Sequence, residues 1–117
     1  MKIEIMTFGF KYGMPEKTDM MFDVRFLNNP FWVNELREQT GLDKSVSDYV
    51  FSFENSRTFF EKLCDFLDFI IPQFQVDKRE ELIIAIGCTG GRHRSVAFAE
   101  RLARHFGVVA EHRDVKR

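Results

Sequence analysis

The sequence predicts an α/β fold, with one layered domain over residues 1–117 in which a mixed β-sheet of about four strands packs against helices. Three observations lead to this prediction. Segments with a hydrophobic period of two alternate along the chain with segments of period three to four. A length of 117 residues suits one domain. Apolar residues make up 44% of the chain and charged residues 30%, a composition that excludes a disordered protein.

Four segments have the patterns of β-strands. In two of them apolar and polar residues alternate, as on a sheet with one buried face. A third is a continuous apolar run that is typical of a buried strand. Glycine, proline and asparagine end the first two segments. The predicted strands cover residues 2–8, 22–26, 82–86 and 108–111.

Helices are predicted between the second and third strands. A short helix or turn follows Trp32 and extends to about Gln39. Asp43 is a suitable N-cap for a second helix, which includes residues 46–50, because its carboxylate can accept a hydrogen bond from the first turn.

The strongest helical signal lies over residues 59–71, where apolar side chains recur at spacings of three and four. This pattern indicates an amphipathic core helix. Asn55 or Ser56 is expected to cap it, and Pro72 to end or kink it. A charged turn over residues 77–81 then leads to the third strand.

Residues 82–106 are predicted to form a strand, a glycine loop and a helix in that order, which together build a phosphate-binding site. Gly90 and Gly91 can adopt positive φ angles that turn backbone N–H groups inward. The N-terminus of the following helix adds unpaired donors and a partial positive charge. Arg94 supplies a planar guanidinium for phosphate oxygens. The helix is expected to end before Gly107.

The same loop fits the CxxGxxR[ST] pattern of cysteine phosphatases through Cys88, Gly91, Arg94 and Ser95. A cysteine-dependent phosphatase is therefore an alternative to a binding site, and so is a nucleotide-binding module that uses this loop. Against catalysis, no recognisable general acid accompanies the loop, and Gly87 stands where these phosphatases carry a histidine. Cys88 is equally well explained as a small buried residue at the end of a strand.

Basic residues are concentrated towards the carboxyl end of the sequence. Residues 1–91 carry a formal charge of −5, whereas residues 92–117 carry +4 and contain all three histidines. This asymmetry favours contact with a polyanion, although a solvated helix face rich in arginine would give the same count. Arg113, Lys116 and Arg117 are the predicted RNA-binding side chains.

The two cysteines, Cys64 and Cys88, lie in different settings, so we expect no disulfide. The lack of a signal peptide at the amino end indicates a cytoplasmic protein, and no apolar run is long enough to cross a membrane. The histidines and cysteines lack metal-ligand spacing, and we expect neither a metal nor a cofactor. Fourteen phenylalanines is a high number, and Phe10, Phe31 and Trp32 are candidates for the interface of a homodimer.

Five segments resemble a known family. They read FGFKYGMP at 8–15, FDVRFLNNPFW at 22–32, TGLD at 40–43, LCDFLDF at 63–69 and AIGCTGGRHRSV at 85–96. Together they are similar to the carboxyl-terminal domain of the RNase adapter RapZ family, and the similarity covers nearly the whole chain. The long string at 88–95 is far more specific than a single glycine motif.

The resemblance implies a domain that senses glucosamine 6-phosphate and binds a small regulatory RNA. The residues that match the family's sugar-phosphate pocket are Asp23, Cys88, Thr89, Gly90, His93 and Arg94, and the loop adds Gly91 and Ser95 as candidate ligand-binding residues. Phe31 stands where better known members have a histidine that contacts the ligand, and Ser52 where an arginine is expected. The resemblance thus implies an intact phosphate-binding half and leaves the group attached to the phosphate undefined.

The family's amino-terminal nucleotide-binding domain has a Walker A loop, and no GxxxxGK[ST] occurs in this sequence. We therefore expect a stand-alone sensing domain without ATPase or GTPase activity. The function that the sequence favours is a non-enzymatic sensor and adapter. A small phosphorylated metabolite, or a phosphate or sulfate ion, would occupy the loop over residues 88–95 and modulate binding to RNA or protein.

Overall fold

The structure, a computed structural model, describes residues 1–76 and 78–117. Within these ranges it contains four strands and three α-helices. The strands are β1 (Lys2–Gly9), β2 (Met20–Asp23), β3 (Glu81–Cys88) and β4 (Ala110–His112), and the helices are α1 (Lys44–Phe51), α2 (Glu54–Gln75) and α3 (Arg94–Phe106). Short 3₁₀ helices occupy Phe10–Tyr12 and Pro30–Trp32. The predicted α/β class is confirmed.

The four strands form one sheet in the order β2-β3-β1-β4, and every neighbouring pair is parallel. The expectation of a mixed sheet was wrong in this respect. Each connection is long enough to return the chain to the same end of the sheet, which a parallel pair requires. As a result, all four strands end at the same edge, which we call the carboxyl edge.

The core lies where α3 packs against β1 and β3, with α1 and α2 packed on α3. Residues 82–88 of β3 are all buried. Phe98 of α3 is fully buried, and its ring lies 5.9 Å from that of Phe51, 5.4 Å from that of Phe59 and 5.5 Å from that of Phe60. Aromatic rings from all three helices thus meet at one point, so a large part of the phenylalanine content belongs to the core.

The helix boundaries differ from the sequence prediction at two positions, both in α2. Phe53, not Asn55 or Ser56, is the N-cap of α2, because its carbonyl accepts the first helical hydrogen bond, from the N–H of Arg57. Pro72 lies inside α2, which continues to Gln75. Asp43 is the N-cap residue of α1, as predicted, although its carboxylate accepts a hydrogen bond from the N–H of Thr40 and none from the first turn of the helix.

Two strands are shifted by about two residues from their predicted ranges. Strand β2 ends at Asp23 because the backbone then turns, with Leu27 donating to the carbonyl of Val24. Strand β4 spans Ala110–His112 instead of residues 108–111, since the N–H of Val108 is still bonded to the last turn of α3. Of the charged turn over residues 77–81, Asp77 lies outside the described residues.

The three aromatic residues expected at a dimer interface differ in exposure. Phe10 is half-buried, whereas Phe31 is exposed and Trp32 retains 75% of its accessible surface. Phe66 and Phe69 on α2 are also exposed. Self-association stays a prediction. No helix in the described part of the chain is long and apolar enough to cross a membrane.

The last five residues are fixed to the sheet by the fully buried Asp114. Its carboxylate accepts the backbone N–H of Gly9 at 2.7 Å and forms ion pairs with Arg113 and Arg117, each at 2.8 Å. Burial opposes ionisation, but the hydrogen bonds from Arg113 and Gly9 outweigh it and hold the pKa of Asp114 below its ordinary value. The stabilising effect is therefore present at neutral pH and is lost as the pH falls through this lowered pKa.

We expect Asp114→Asn to lower the free energy of unfolding by about 2 kcal/mol, because the buried side chain loses its charge and with it the charge-assisted hydrogen bonds from Arg113 and Arg117. Urea denaturation at pH 7 measures this loss. Asp48→Asn is the matched control, since the exposed pair with Lys44 should be worth less than about 0.5 kcal/mol. Equal losses in the two variants would contradict a fixing role for Asp114.

Candidate functional site

A cavity of about 370 Å³ opens at the carboxyl edge of the sheet. Ligands of open α/β folds bind at this edge, where the loops after successive strands converge. Here the loops after β1, β2 and β3 and the segment after β4 all contribute. The lining residues are Lys11, Tyr12, Asn29, Phe31, Trp32, Arg37, Glu38, Cys88, Thr89, Gly90, Arg92, His93, Arg94 and Arg117.

The glycine loop between β3 and α3 lies directly against the end of β1. Gly91 has a φ angle of +72°, and a Cβ atom at this position would lie 2.6 Å from the backbone nitrogen of Gly9. A Cβ atom on Gly9 would in turn lie 2.5 Å from the carbonyl carbon of Gly90. Both glycines are therefore required by close backbone approach, and Gly91 also by its positive φ.

The backbone of this loop presents unpaired hydrogen-bond donors. Within the described chain, the N–H groups of residues 90–95 donate to no protein acceptor. His93 is the N-cap residue of α3, and its side chain makes no capping bond. The first N–H groups of the helix therefore remain available at the edge of the cavity, where they and the helix dipole favour an anion.

Arg94 connects the loop after β2 to the glycine loop and is 95% buried. One terminal nitrogen donates to the carbonyls of Arg25, at 2.5 Å, and Leu27, at 3.2 Å. The other donates to the Thr89 hydroxyl at 3.3 Å, while Nε has no partner. Burial lowers the pKa of the Arg94 guanidinium. Arg94 therefore both braces the cavity and contributes charge to it.

Positive charge dominates the lining. Lys11, Arg37, Arg92, Arg94 and Arg117 are the permanent cations. Glu38 is the one carboxylate among the described lining residues. The Nε atom of Arg92, like that of Arg94, is buried without a hydrogen-bond partner. Such a cluster is costly unless an anion offsets it, so the cavity is electrostatically suited to a phosphorylated ligand.

His93 is buried at the base of the cavity. Its Nε2 atom lies 3.1 Å from the backbone oxygen of Arg37, which can only accept a hydrogen bond, so Nε2 is the protonated nitrogen. Burial lowers the pKa of His93 below its ordinary value. The imidazole is therefore neutral at pH 7 and offers Nδ1 as an acceptor.

Cys88 lines the cavity but is 98% buried, and its Sγ atom lies 3.1 Å from the hydroxyl of Ser95. Ser95 is fully buried behind it and does not line the cavity. The other cysteine, Cys64, is remote from the loop on α2, and burial raises the pKa of its thiol to about 11. Cys64 is therefore protonated at neutral pH and unsuited to nucleophilic chemistry.

The structure brings together five of the eight predicted ligand-binding residues. They are Cys88, Thr89, Gly90, His93 and Arg94. Gly91 and Ser95 belong to the same loop but do not line the cavity. Asp23 is outside the lining as well, because its carboxylate binds the Arg25 guanidinium at 2.7 Å, and these hydrogen bonds lower the pKa of Asp23.

Several lining residues were missed by the sequence analysis. Lys11 and Tyr12 directly follow β1, so their position after a parallel strand could have indicated them. Arg37 and Glu38 come from an irregular turn that carries no such signal. Arg117, predicted to bind RNA, also lines the cavity.

The two positions that differ from better known family members behave differently. Phe31 lines the cavity. The centroid of its ring lies 5.3 Å from the centroid of the Trp32 ring and 4.9 Å from the Cζ atom of Arg37. Ser52 is instead the C-cap residue of α1, where its hydroxyl donates to the carbonyl of Tyr49, and it does not line the cavity. The difference from other family members at Phe31 therefore affects the surface that a ligand would contact, whereas Ser52 caps the end of α1.

Comparison with known proteins identifies the family. A profile that describes the RapZ C-terminal domain matches residues 1–116. The chain is 50% identical over 119 residues to a "Nucleotide-binding protein" of Geobacillus thermodenitrificans (strain NG80-2), covering 98% of this chain and 40% of that protein. It is 51% identical over 120 residues to a "Nucleotide-binding protein" of Carboxydothermus hydrogenoformans, covering 98% of this chain and 42% of that protein.

A third relative, "Nucleotide-binding protein LBA0691" of Lactobacillus acidophilus, is 52% identical over 119 residues, covering 98% of this chain and 41% of that protein. The chain thus spans about two fifths of the length of these relatives. The match of the profile to nearly the whole sequence, on a fold whose glycine loop holds the family's characteristic string, shows that the chain belongs to the RapZ C-terminal domain family.

Proposed function

We propose that this domain is a non-enzymatic sensor that binds a small phosphorylated metabolite in the cavity at the carboxyl edge. One observation carries the proposal: five permanent cations line one cavity, beside the unpaired backbone N–H groups of the glycine loop. Its volume of about 370 Å³ lies within the usual range of small-molecule sites. The phosphate would lie over Gly90, with the hydroxyl of Thr89 and the guanidinium of Arg92 as further donors.

The family resemblance and the lining support an amino-sugar phosphate as the first ligand to test. Phe31 and Trp32 form an aromatic wall next to the phosphate position, and such rings can pack against the apolar face of a sugar. The carboxylate of Glu38 could accept a hydrogen bond from an amino group. The neutral Nδ1 of His93 is a second acceptor for a ligand hydroxyl.

The same proposal includes an adapter role, in which the domain contacts RNA or a protein partner. Lys116 is exposed and does not line the cavity, so it remains available to a phosphate backbone. Arg113 and Arg117 are partly committed to Asp114. The relatives are named nucleotide-binding proteins, which is consistent with a phosphorylated ligand, but these names belong to chains more than twice this length.

The first test of this function is the loss of binding on Arg92→Ala. We expect the affinity for glucosamine 6-phosphate to fall by roughly 2 kcal/mol, the scale of one charge-assisted hydrogen bond, as measured by titration calorimetry. Arg104→Ala is the matched control, because this exposed arginine of α3 is outside the lining. Arg94 is a poorer choice, since it also braces the loop after β2.

Two results would change the proposal. If the unmodified protein binds neither glucosamine 6-phosphate nor any other sugar phosphate, the assignment of the cavity is wrong. If it instead releases inorganic phosphate from the ligand, and this release is lost in Cys88→Ser, the phosphatase alternative replaces the sensor.

The lowered pKa of His93 predicts how anion binding depends on pH. A bound anion stabilises the imidazolium form, so the affinity for sulfate should increase as the pH falls from 7 to 5. Sulfate is the suitable probe because its charge is constant over this range. His93→Gln should flatten the profile while the protein still binds sulfate at pH 7; an unchanged slope in this variant would show that His93 does not face the anion.

The RNA-binding role is tested at Lys116. We expect Lys116→Ala to weaken binding to a stem-loop RNA and to reduce the slope of log affinity against log salt by about 1, because one phosphate contact is lost. Lys62→Ala, at an exposed position of α2, is the control. Filter binding at several salt concentrations measures both quantities, and identical slopes for the two variants would argue against a contact at Lys116.

A further inference from the structure

The wall of the cavity beside the glycine loop carries a second group of cations. Lys11 and Arg117 lie over the ring of Tyr12, with Nζ of Lys11 5.1 Å and Cζ of Arg117 4.6 Å from its centroid. All three residues line the cavity. Tyr12 therefore acts as a platform that holds two positive side chains on the same side of the cavity.

These two cations lie next to the proposed phosphate position. The Cε atom of Lys11 is 3.9 Å from the point where a Cβ atom of Gly90 would lie, and the N–H of Lys11 donates to the carbonyl of Thr89 at 3.2 Å. Two anionic groups, one over Gly90 and one beside Lys11, would thus be direct neighbours. Covalently linked phosphates satisfy this spacing, whereas distant phosphates on a long ligand do not.

The charge balance also calls for a second anion. Among the described residues Lys11 forms no ion pair, and the single carboxylate of Asp114 is shared between Arg113 and Arg117. The glycine-loop side already has its own backbone donors together with Arg92 and Arg94. A phosphate bound there would leave the positive charge of Lys11 and Arg117 unbalanced.

We propose that the cavity takes an organic diphosphate, with one phosphate over the glycine loop and the second between Lys11 and Arg117. The organic group would then lie towards Phe31 and Trp32, whose rings form the aromatic wall of the cavity. Asp114 is a positioning residue for this second subsite, since its ion pair with Arg117 orients the guanidinium over Tyr12. This inference rests on the proposed function, because the first phosphate is the one assigned there.

Inorganic phosphate and pyrophosphate are the probes, because they isolate the anion subsites from the organic group. Calorimetry without divalent cations should give at least tenfold tighter binding of pyrophosphate to the unmodified protein. In Arg117→Ala the affinity for pyrophosphate should fall about tenfold, whereas that for phosphate should change less than twofold. Lys11→Ala should lower the pyrophosphate affinity in the same way, and it tests the subsite without disturbing Asp114.

Arg104→Ala is the matched control, since it removes one positive charge at an exposed position of α3 outside the lining. The ratio of the two affinities should be unchanged in this variant. The diphosphate proposal is overturned if phosphate and pyrophosphate bind equally, or if Arg117→Ala and Arg104→Ala alter the ratio to the same extent. If neither ion binds the unmodified protein, the proposed function and the diphosphate proposal fail together, whereas equal binding of the two ions overturns the diphosphate proposal alone.

Discussion

The close contact between the glycine loop and the end of β1 is the constraint on which the rest of the site depends. Gly9 and Gly91 meet at distances that no side chain would permit, and this contact brings the donors of α3 beside the residues that follow β1. Because the sheet is parallel, the loops after β2 and the segment after β4 reach the same edge. The cavity therefore results from the common direction of the strands and from the lack of side chains at Gly9 and Gly91.

Much of this arrangement could be predicted because the local signals are strong. The buried run of β3, the glycines that follow it and the start of α3 were all indicated by the sequence, and α3 spans Arg94–Phe106 as expected. The limits of α2 were not: this helix begins at Glu54, before the predicted capping residues, and continues past Pro72 to Gln75. The strand directions were missed as well, because strand pairing depends on tertiary contacts that leave no local pattern.

The site was predicted less completely than the fold. Residues of the glycine loop follow one another in sequence and were found together. Those that complete the cavity, such as Tyr12, Arg37 and Arg117, come from separate loops and meet only after folding. Asp23 shows the opposite case, since it matches a family position but is paired with Arg25 at the surface. A motif therefore identifies one wall of a cavity, and the remaining walls require the structure.

The hydrogen bond between Gly9 and Asp114 joins residues that are 105 positions apart. During synthesis the first strand leaves the ribosome long before its partner in this bond, so the far wall of the cavity cannot form until Asp114 has been made. The helices and β3 can pack earlier, because their contacts are nearer in sequence. The wall of the cavity that holds Arg117 therefore depends on a contact between distant parts of the sequence, and a ligand bound at this wall would report that the contact has formed.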